Sequence, residues 1–171
     1  NEETILVSIM HANNEIGSVN NIKELAQAAH SKGVLFHTDA CQAAGLLELK
    51  NLGIDLLSLN GSKMYGPKGT GLLYVKESVR IVPLLHGGGQ EHGLRSGTEN
   101  VAGIVGFAKA FELAEAAREV EAERLAGLRN KLIEGILSSI PHSMLNGHSI
   151  RRLPNNVNVS IIGVEGEVLV E

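Results

Sequence analysis

The sequence predicts an α/β fold with a central, mostly parallel sheet flanked by helices, followed by the start of a smaller α+β unit. Three observations point there. An apolar run, an amphipathic segment and a second apolar run succeed one another within Thr4–Thr38. That is the spacing of a βαβ unit, whose strands lie parallel through a right-handed crossover. Two more short apolar runs follow at Asp55–Leu59 and Leu72–Val75. A helical periodicity then extends from Val101 to Leu137, after which strand-like runs return.

Each element has its own signal. Thr4–Met10 (TILVSIM) is apolar and β-branched and reads as a buried strand, with the turn-rich segment His11–Ser18 behind it. A helix is expected over Ile22–Lys32, capped by Asn20 or Asn21 and stopped by Gly33. Ile22, Leu25, Ala26 and Ala29 form its apolar face. Val34–Thr38 reads as the second strand, and Ala40–Leu52 as a loop with a short helix. As one helix the long periodic segment would measure about 55 Å, so a bend is expected near Ala114–Ala117. Its apolar positions, among them Ile104, Phe111, Leu125 and Leu132, are too irregular for the heptads of a coiled coil. Beyond Pro141 the clearest strand is Val157–Ile162. The implied division is residues 1–117 for a partial large domain and 118–171 for the start of a small one, entered through the long helix.

Composition excludes several classes. With 43% hydrophobic and 20% charged residues the chain is globular rather than disordered. A net charge of −4 and scattered Lys and Arg argue against nucleic acid, and the one adjacent basic pair, Arg151-Arg152, reads as solvated surface. No apolar run approaches the roughly 20 residues that span a bilayer, so no membrane partner is expected. Cys41 is the only cysteine, which rules out an intrachain disulfide. A cytoplasmic location is expected. The chain opens on Asn1 straight into a strand and stops at Glu171 in what reads as the opening of a helix, so both ends are expected to be cut.

Ligands of open α/β sheets bind beyond the carboxyl ends of the strands. Three polar clusters fall there: His11–Glu15, His37–Gln42 and Asn60–Lys63. A lysine amine can form a Schiff base with a carbonyl. A cofactor such as pyridoxal phosphate also needs an acid to keep its ring nitrogen protonated. Lys63 and Asp39 suit those two roles together, although either alone would read as a surface charge or a turn residue. Cys41 reads as a small buried packing residue. His11 and His37 read as hydrogen-bonded residues without the spacing of metal ligands, so no metal is expected.

Four blocks, His11–Gly17 (HANNEIG), Phe36–Ala40 (FHTDA), Gly61–Gly69 (GSKMYGPKG) and Gly87–Thr98 (GGGQEHGLRSGT), resemble the signature blocks of cysteine desulfurases. These belong to the NifS/IscS-like group of the class-V aminotransferase superfamily, and the likeness continues weakly to Val164–Glu167. The resemblance implies the type I fold of pyridoxal-phosphate enzymes and a reaction that converts L-cysteine to L-alanine, leaving the sulfur as a persulfide for iron–sulfur or thio-cofactor assembly. It implies that Lys63 carries the cofactor and moves the α-proton, that Asp39 pairs with the ring nitrogen, and that Gln42 bonds the phenolic oxygen. Asn14 would contact the cofactor or the substrate carboxylate, and Asn60, Gly61 and Ser62 the phosphate. Thr98 would reach the phosphate of a neighbouring subunit, making a homodimer that hands sulfur to an acceptor such as an iron–sulfur scaffold protein.

Departures from the family pattern stand at Ser62, where His is common, at Asn60, where Ser is usual, and at His92, where Arg is frequent. Ser62 and Asn60 can still bond a phosphate, but Ser62 lacks the charge of an imidazolium, so weaker cofactor binding or compensation elsewhere is expected. The family's nucleophilic cysteine lies on a loop downstream of Glu171, so this polypeptide alone is expected to be inactive. The alternatives are a selenocysteine lyase, another class-V lyase, or a non-catalytic sulfur-delivery scaffold. Retention of both Asp39 and Lys63 speaks against the last.

Overall fold

A computed structural model describes residues 1–169. Four strands form one sheet: β1 (Leu6–Met10), β2 (Leu35–Asp39), β3 (Leu56–Asn60) and β4 (Gly71–Val75), hydrogen-bonded in the order β1-β2-β3-β4. The first three are parallel and β4 returns antiparallel to β3. Helix α1 (Ile22–His30) connects β1 to β2. A single helix, α2 (Val101–Ser139), then leads to a two-stranded antiparallel sheet of β5 (Ser143–Leu145) and β6 (Val159–Ile161). The expected helix opening at Glu171 lies outside the described residues.

Register fixes the faces of the sheet. Val7 pairs with Phe36 and Thr38 with Leu57, so these side chains share one face. On it α1 buries Ile22, Ala26 and Ala29 against Val34 and Phe36. The same face carries Leu57 and Leu59 against Phe107 of α2, with Met64 and Ala40 completing that cluster. Among the described residues both helices pack on this face. The opposite face carries a polar row: Ser8 Oγ bonds His37 Nδ1 at 2.7 Å, and His37 Nε2 bonds Ser58 Oγ at 2.9 Å.

Three expectations are corrected. The first strand is an edge strand, not a buried one, and Ile5 and Leu6 are exposed. Ala40–Leu52 contains turns but no helix, because Gly45 adopts φ +72° and packs so closely that a Cβ there would sit 2.8 Å from the Ala114 Cβ. The long helix has no break at Ala114–Ala117; 39 residues run continuously through this Ala/Glu stretch of strong helix formers. Arg118 ties that region back to the loop through Glu48 at 2.9 Å.

Candidate functional site at the carboxyl edge of the sheet

Because β1, β2 and β3 run parallel, their carboxyl ends share one edge. Met10, Asp39 and Ser58 are level in the register, and the chain crosses between strands there through His11 N–H to Asp39 O at 2.8 Å and Ala40 N–H to Ser58 O at 3.0 Å. All three polar clusters expected at strand ends emerge on this edge.

Asp39 closes β2 with its side chain exposed. One carboxylate oxygen accepts the Cys41 N–H at 2.9 Å, which folds the chain back after the strand. Gln42 is half-buried in the same turn. After β3, Asn60 starts a 3-10 turn over Gly61–Met64 that carries Lys63. The Asn60 Oδ1 accepts both the Ser62 N–H at 2.9 Å and the Ser62 hydroxyl at 2.7 Å. Met64 points inward and is buried, which turns Lys63 out to solvent. Among the described residues Lys63 has no ion pair.

The Cys41 thiol responds to both charges. Burial pushes the Cys41 thiol up to about 12, and the adjacent Asp39 carboxylate adds to the rise while the charge of Lys63 opposes it. Asp39 and Lys63 thus lie within electrostatic reach of one sulfur. Cys41 is half-buried rather than fully buried, and its Sγ lies 3.8 Å from the Ser58 carbonyl oxygen. At neutral pH it is a protonated thiol, not a nucleophile.

The turn after β1 presents Asn14. Asn13 Oδ1 accepts the Glu15 and Ile16 N–H groups, both at 2.9 Å, and leaves the neighbouring Asn14 exposed. His11 differs from expectation, since its Nδ1 is buried without a hydrogen-bond partner and burial lowers its pKa. His37 is bonded on both nitrogens, and burial lowers its pKa against the pull of Asp39. Thr98 is exposed in a loop whose hydrogen bonds are internal, such as Gly97 N–H to Gln90 Oε1 at 3.0 Å. The structure therefore brings Asp39, Gln42, Asn60, Gly61, Ser62, Lys63 and the turn bearing Asn14 to one edge.

The donor set suits pyridoxal phosphate at the amine and at the acid, each exposed and free of a competing charge. At the phosphate end the fit is tighter, because both donors of Ser62 are turned onto Asn60. A cleft of about 340 Å³ lined by Asn20, Asn21, Leu47, Ile150, Arg151 and Arg152 contains none of the expected site residues. Among the described residues no cluster of His, Cys, Asp and Glu could hold a metal, and no helix is long and apolar enough to cross a membrane.

Sequence reasoning missed Ser58, which shares its strand face with Asn60 and links His37 to the Cys41 turn. Its position, alternating with Leu57 and Leu59, was the available signal. It also missed Arg152, which is buried rather than solvated.

A parallel-strand edge that presents an amine and an acid, neither in an ion pair among the described residues, marks an α/β domain with its ligand site at the strand ends. The chain belongs to the class-V aminotransferase family, whose model matches residues 1–171. It is 55% identical to a protein of Clostridium botulinum named cysteine desulfurase IscS, over 98% of this chain and 43% of the relative. A protein of the same name from Methanosarcina thermophila is 54% identical, over 98% of this chain and 42% of that one. Among solved structures, a NifS-like protein superposes with a TM-score of 0.92 at 40% identity, over 99% of this chain and 47% of its own. The chain thus spans less than half the length of these relatives.

Proposed function

We propose that the full-length protein is a pyridoxal-phosphate-dependent cysteine desulfurase. It converts L-cysteine to L-alanine and moves the sulfur to one of its own cysteines as a persulfide, destined for iron–sulfur cluster or thio-cofactor assembly. The observation that carries this reading is the pair of unpaired charges, Lys63 and Asp39, on the carboxyl edge of the parallel strands and both felt by Cys41. The names of the relatives agree with it.

Bound there, the cofactor supplies an electron sink for carbon-centred charge. Lys63 would hold it through its amine and would carry the proton at the substrate α-carbon. Asp39 keeps the ring nitrogen protonated, and Gln42 bonds the phenolic oxygen. Asn14 contacts the cofactor or the substrate carboxylate. Asn60, Gly61 and Ser62 hold the phosphate, and Thr98 of one subunit completes that contact in its partner, which makes the working unit a homodimer. In the sulfur step a thiolate would attack the substrate sulfur: the sulfur–sulfur bond would form as the carbon–sulfur bond breaks, and the electron pair of that bond would stay with the substrate carbon, which takes up a proton on the way to alanine. With its raised pKa Cys41 is not that thiolate. Residues 1–117 form part of the large domain and 118–171 open the small one. The protein works in the cytoplasm and passes its sulfur to an acceptor protein.

The test is Lys63→Ala in the full-length protein. Alanine formation from L-cysteine falls at least about 1000-fold and the visible absorbance of bound cofactor disappears. A variant that keeps both ends the reading.

A further inference from the structure

The carbonyls of four consecutive residues in the turn after β1 are held from one remote segment. Asn156 Nδ2 donates to Asn14 O at 3.3 Å and to Glu15 O at 2.9 Å, and Asn158 Nδ2 donates to Glu15 O at 3.2 Å. Arg152 Nη2 donates to Ile16 O at 3.3 Å, and the Leu153 N–H to Gly17 O at 2.8 Å. Two further bonds fasten the turn's exit, His148 N–H to Ser18 Oγ at 2.8 Å and Val19 N–H to Arg151 O at 3.0 Å. The approach is close enough that a Cβ on Gly17, at φ +74°, would lie 2.5 Å from Asn156 Oδ1. Asn13 already ties the turn's amides from within. With amides and carbonyls both fixed, the side chain of Asn14 is left free and exposed.

Arg152 anchors the holder. It is 5% exposed, with no carboxylate partner among the described residues. Its guanidinium donates to Asn146 O, His148 O, Ile16 O and Asn156 Oδ1, and its Nε has no partner. Burying an arginine with only neutral acceptors costs desolvation; what its rigid fork returns is several directions fixed at once. Arg129 of α2 donates in turn to the Leu153 and Arg152 carbonyls at 2.9 and 3.4 Å. A chain of contacts thus runs from α2 through Arg129, Arg152 and Asn156 to the backbone of Asn14.

We propose that Asn156 is a positioning residue: its amide, oriented by Arg152, sets the backbone beneath Asn14, so that the segment 146–158 controls where the Asn14 side chain stands on the Lys63–Asp39 edge. This rests on Asn14 contacting cofactor or substrate.

The test uses the full-length protein with Asn14→Ala, Asn156→Ala, Asn156→Asp and the Asn14→Ala/Asn156→Ala double variant. In cofactor-free protein, hydrogen exchange at the Glu15, Ile16 and Gly17 amides speeds up at least about tenfold in Asn156→Ala. In the loaded protein, the KM for L-cysteine or the cofactor Kd rises at least about fivefold in both Asn156 variants. In the Asn14→Ala background, Asn156→Ala adds less than about twofold, since one residue acts through the other. Asn156→Asp keeps the size and loses the donors, which separates positioning from loss of folding. An equal fold-change in both backgrounds, or an unchanged KM and Kd in both Asn156 variants beside an effective Asn14→Ala, overturns the positioning and leaves the site reading intact. A silent Asn14→Ala removes Asn14 from the site and the positioning role with it.

Discussion

Two aspartates at opposite edges of the same sheet are treated in opposite ways. Asp55, at the amino edge just before β3, is buried and fully partnered: His30 Nε2 lies at 2.6 Å, the Phe36 N–H at 2.9 Å and Lys76 Nζ at 3.5 Å. Burial pushes its carboxyl pKa up, but the bonds from His30 and Phe36 outweigh this and hold it below the usual value. Asp39, at the carboxyl edge, is exposed and accepts a single backbone bond. At one edge charge is consumed in tying α1, β2 and β3 together; at the other it is left available in water. A scaffold that pairs its charges where it needs rigidity and leaves them open where it needs chemistry separates stability from function by position.

That contrast gives the largest predicted effects. Asp39→Asn in the full-length protein lowers alanine formation by at least about 100-fold while unfolding stability stays within about 0.5 kcal/mol. Asp55→Ala does the reverse. It strands His30 and the Phe36 N–H and lowers stability by about 3 kcal/mol, with kcat of the folded protein unchanged. Urea unfolding and steady-state kinetics on both variants check this. Should Asp39→Asn unfold the protein, or Asp55→Ala silence a folded enzyme, the division between the edges is wrong.

A smaller effect follows from acid. The Asp55 pKa is lower folded than unfolded, so its stabilisation is complete above the unfolded value of about 4 and is lost as pH falls through the folded value. The unfolding free energy of wild type minus that of Asp55→Asn should therefore shrink below about pH 4 and be flat above about pH 5. A difference that instead grows with acid would mean that Asp55 is not held ionised by its partners.

Much of the carboxyl edge was legible in the sequence because it depends on local signals. Short apolar runs mark strand ends, and residues following those ends must share an edge once the strands are parallel. The faces were partly legible. Ser8, His37 and Ser58 alternate with apolar neighbours, a half-exposed pattern that apolar content overrode in reading the first strand as buried. Arg152 was not legible. An arginine pair beside Leu153 and Pro154 looks solvated, and what buries its second member are carbonyls up to 136 positions away. Nor was the unbroken α2: length suggested a bend, but the residues at 114–117 are good helix formers, and the contacts of Ala114 to Gly45 and of Arg118 to Glu48 hold the helix against the loop after β2.

The smallest effect concerns a group on the carboxyl edge that behaves like the amino edge. Cys41 is half-buried, directed at the Ser58 carbonyl, and its thiol is pushed up to about 12. At pH 8 its thiolate fraction is then roughly a thousandfold below that of a free cysteine with a pKa of about 8.5. Iodoacetamide should accordingly modify it far more slowly than free cysteine, and Cys41→Ser should change the kcat of the full-length enzyme by less than about twofold. Fast alkylation at neutral pH would mean that the Asp39 turn opens in solution. A Cys41→Ser variant devoid of turnover would place the thiol itself among the reacting groups, and the sulfur step would then have to be drawn through the sheet edge rather than through a cysteine elsewhere in the protein.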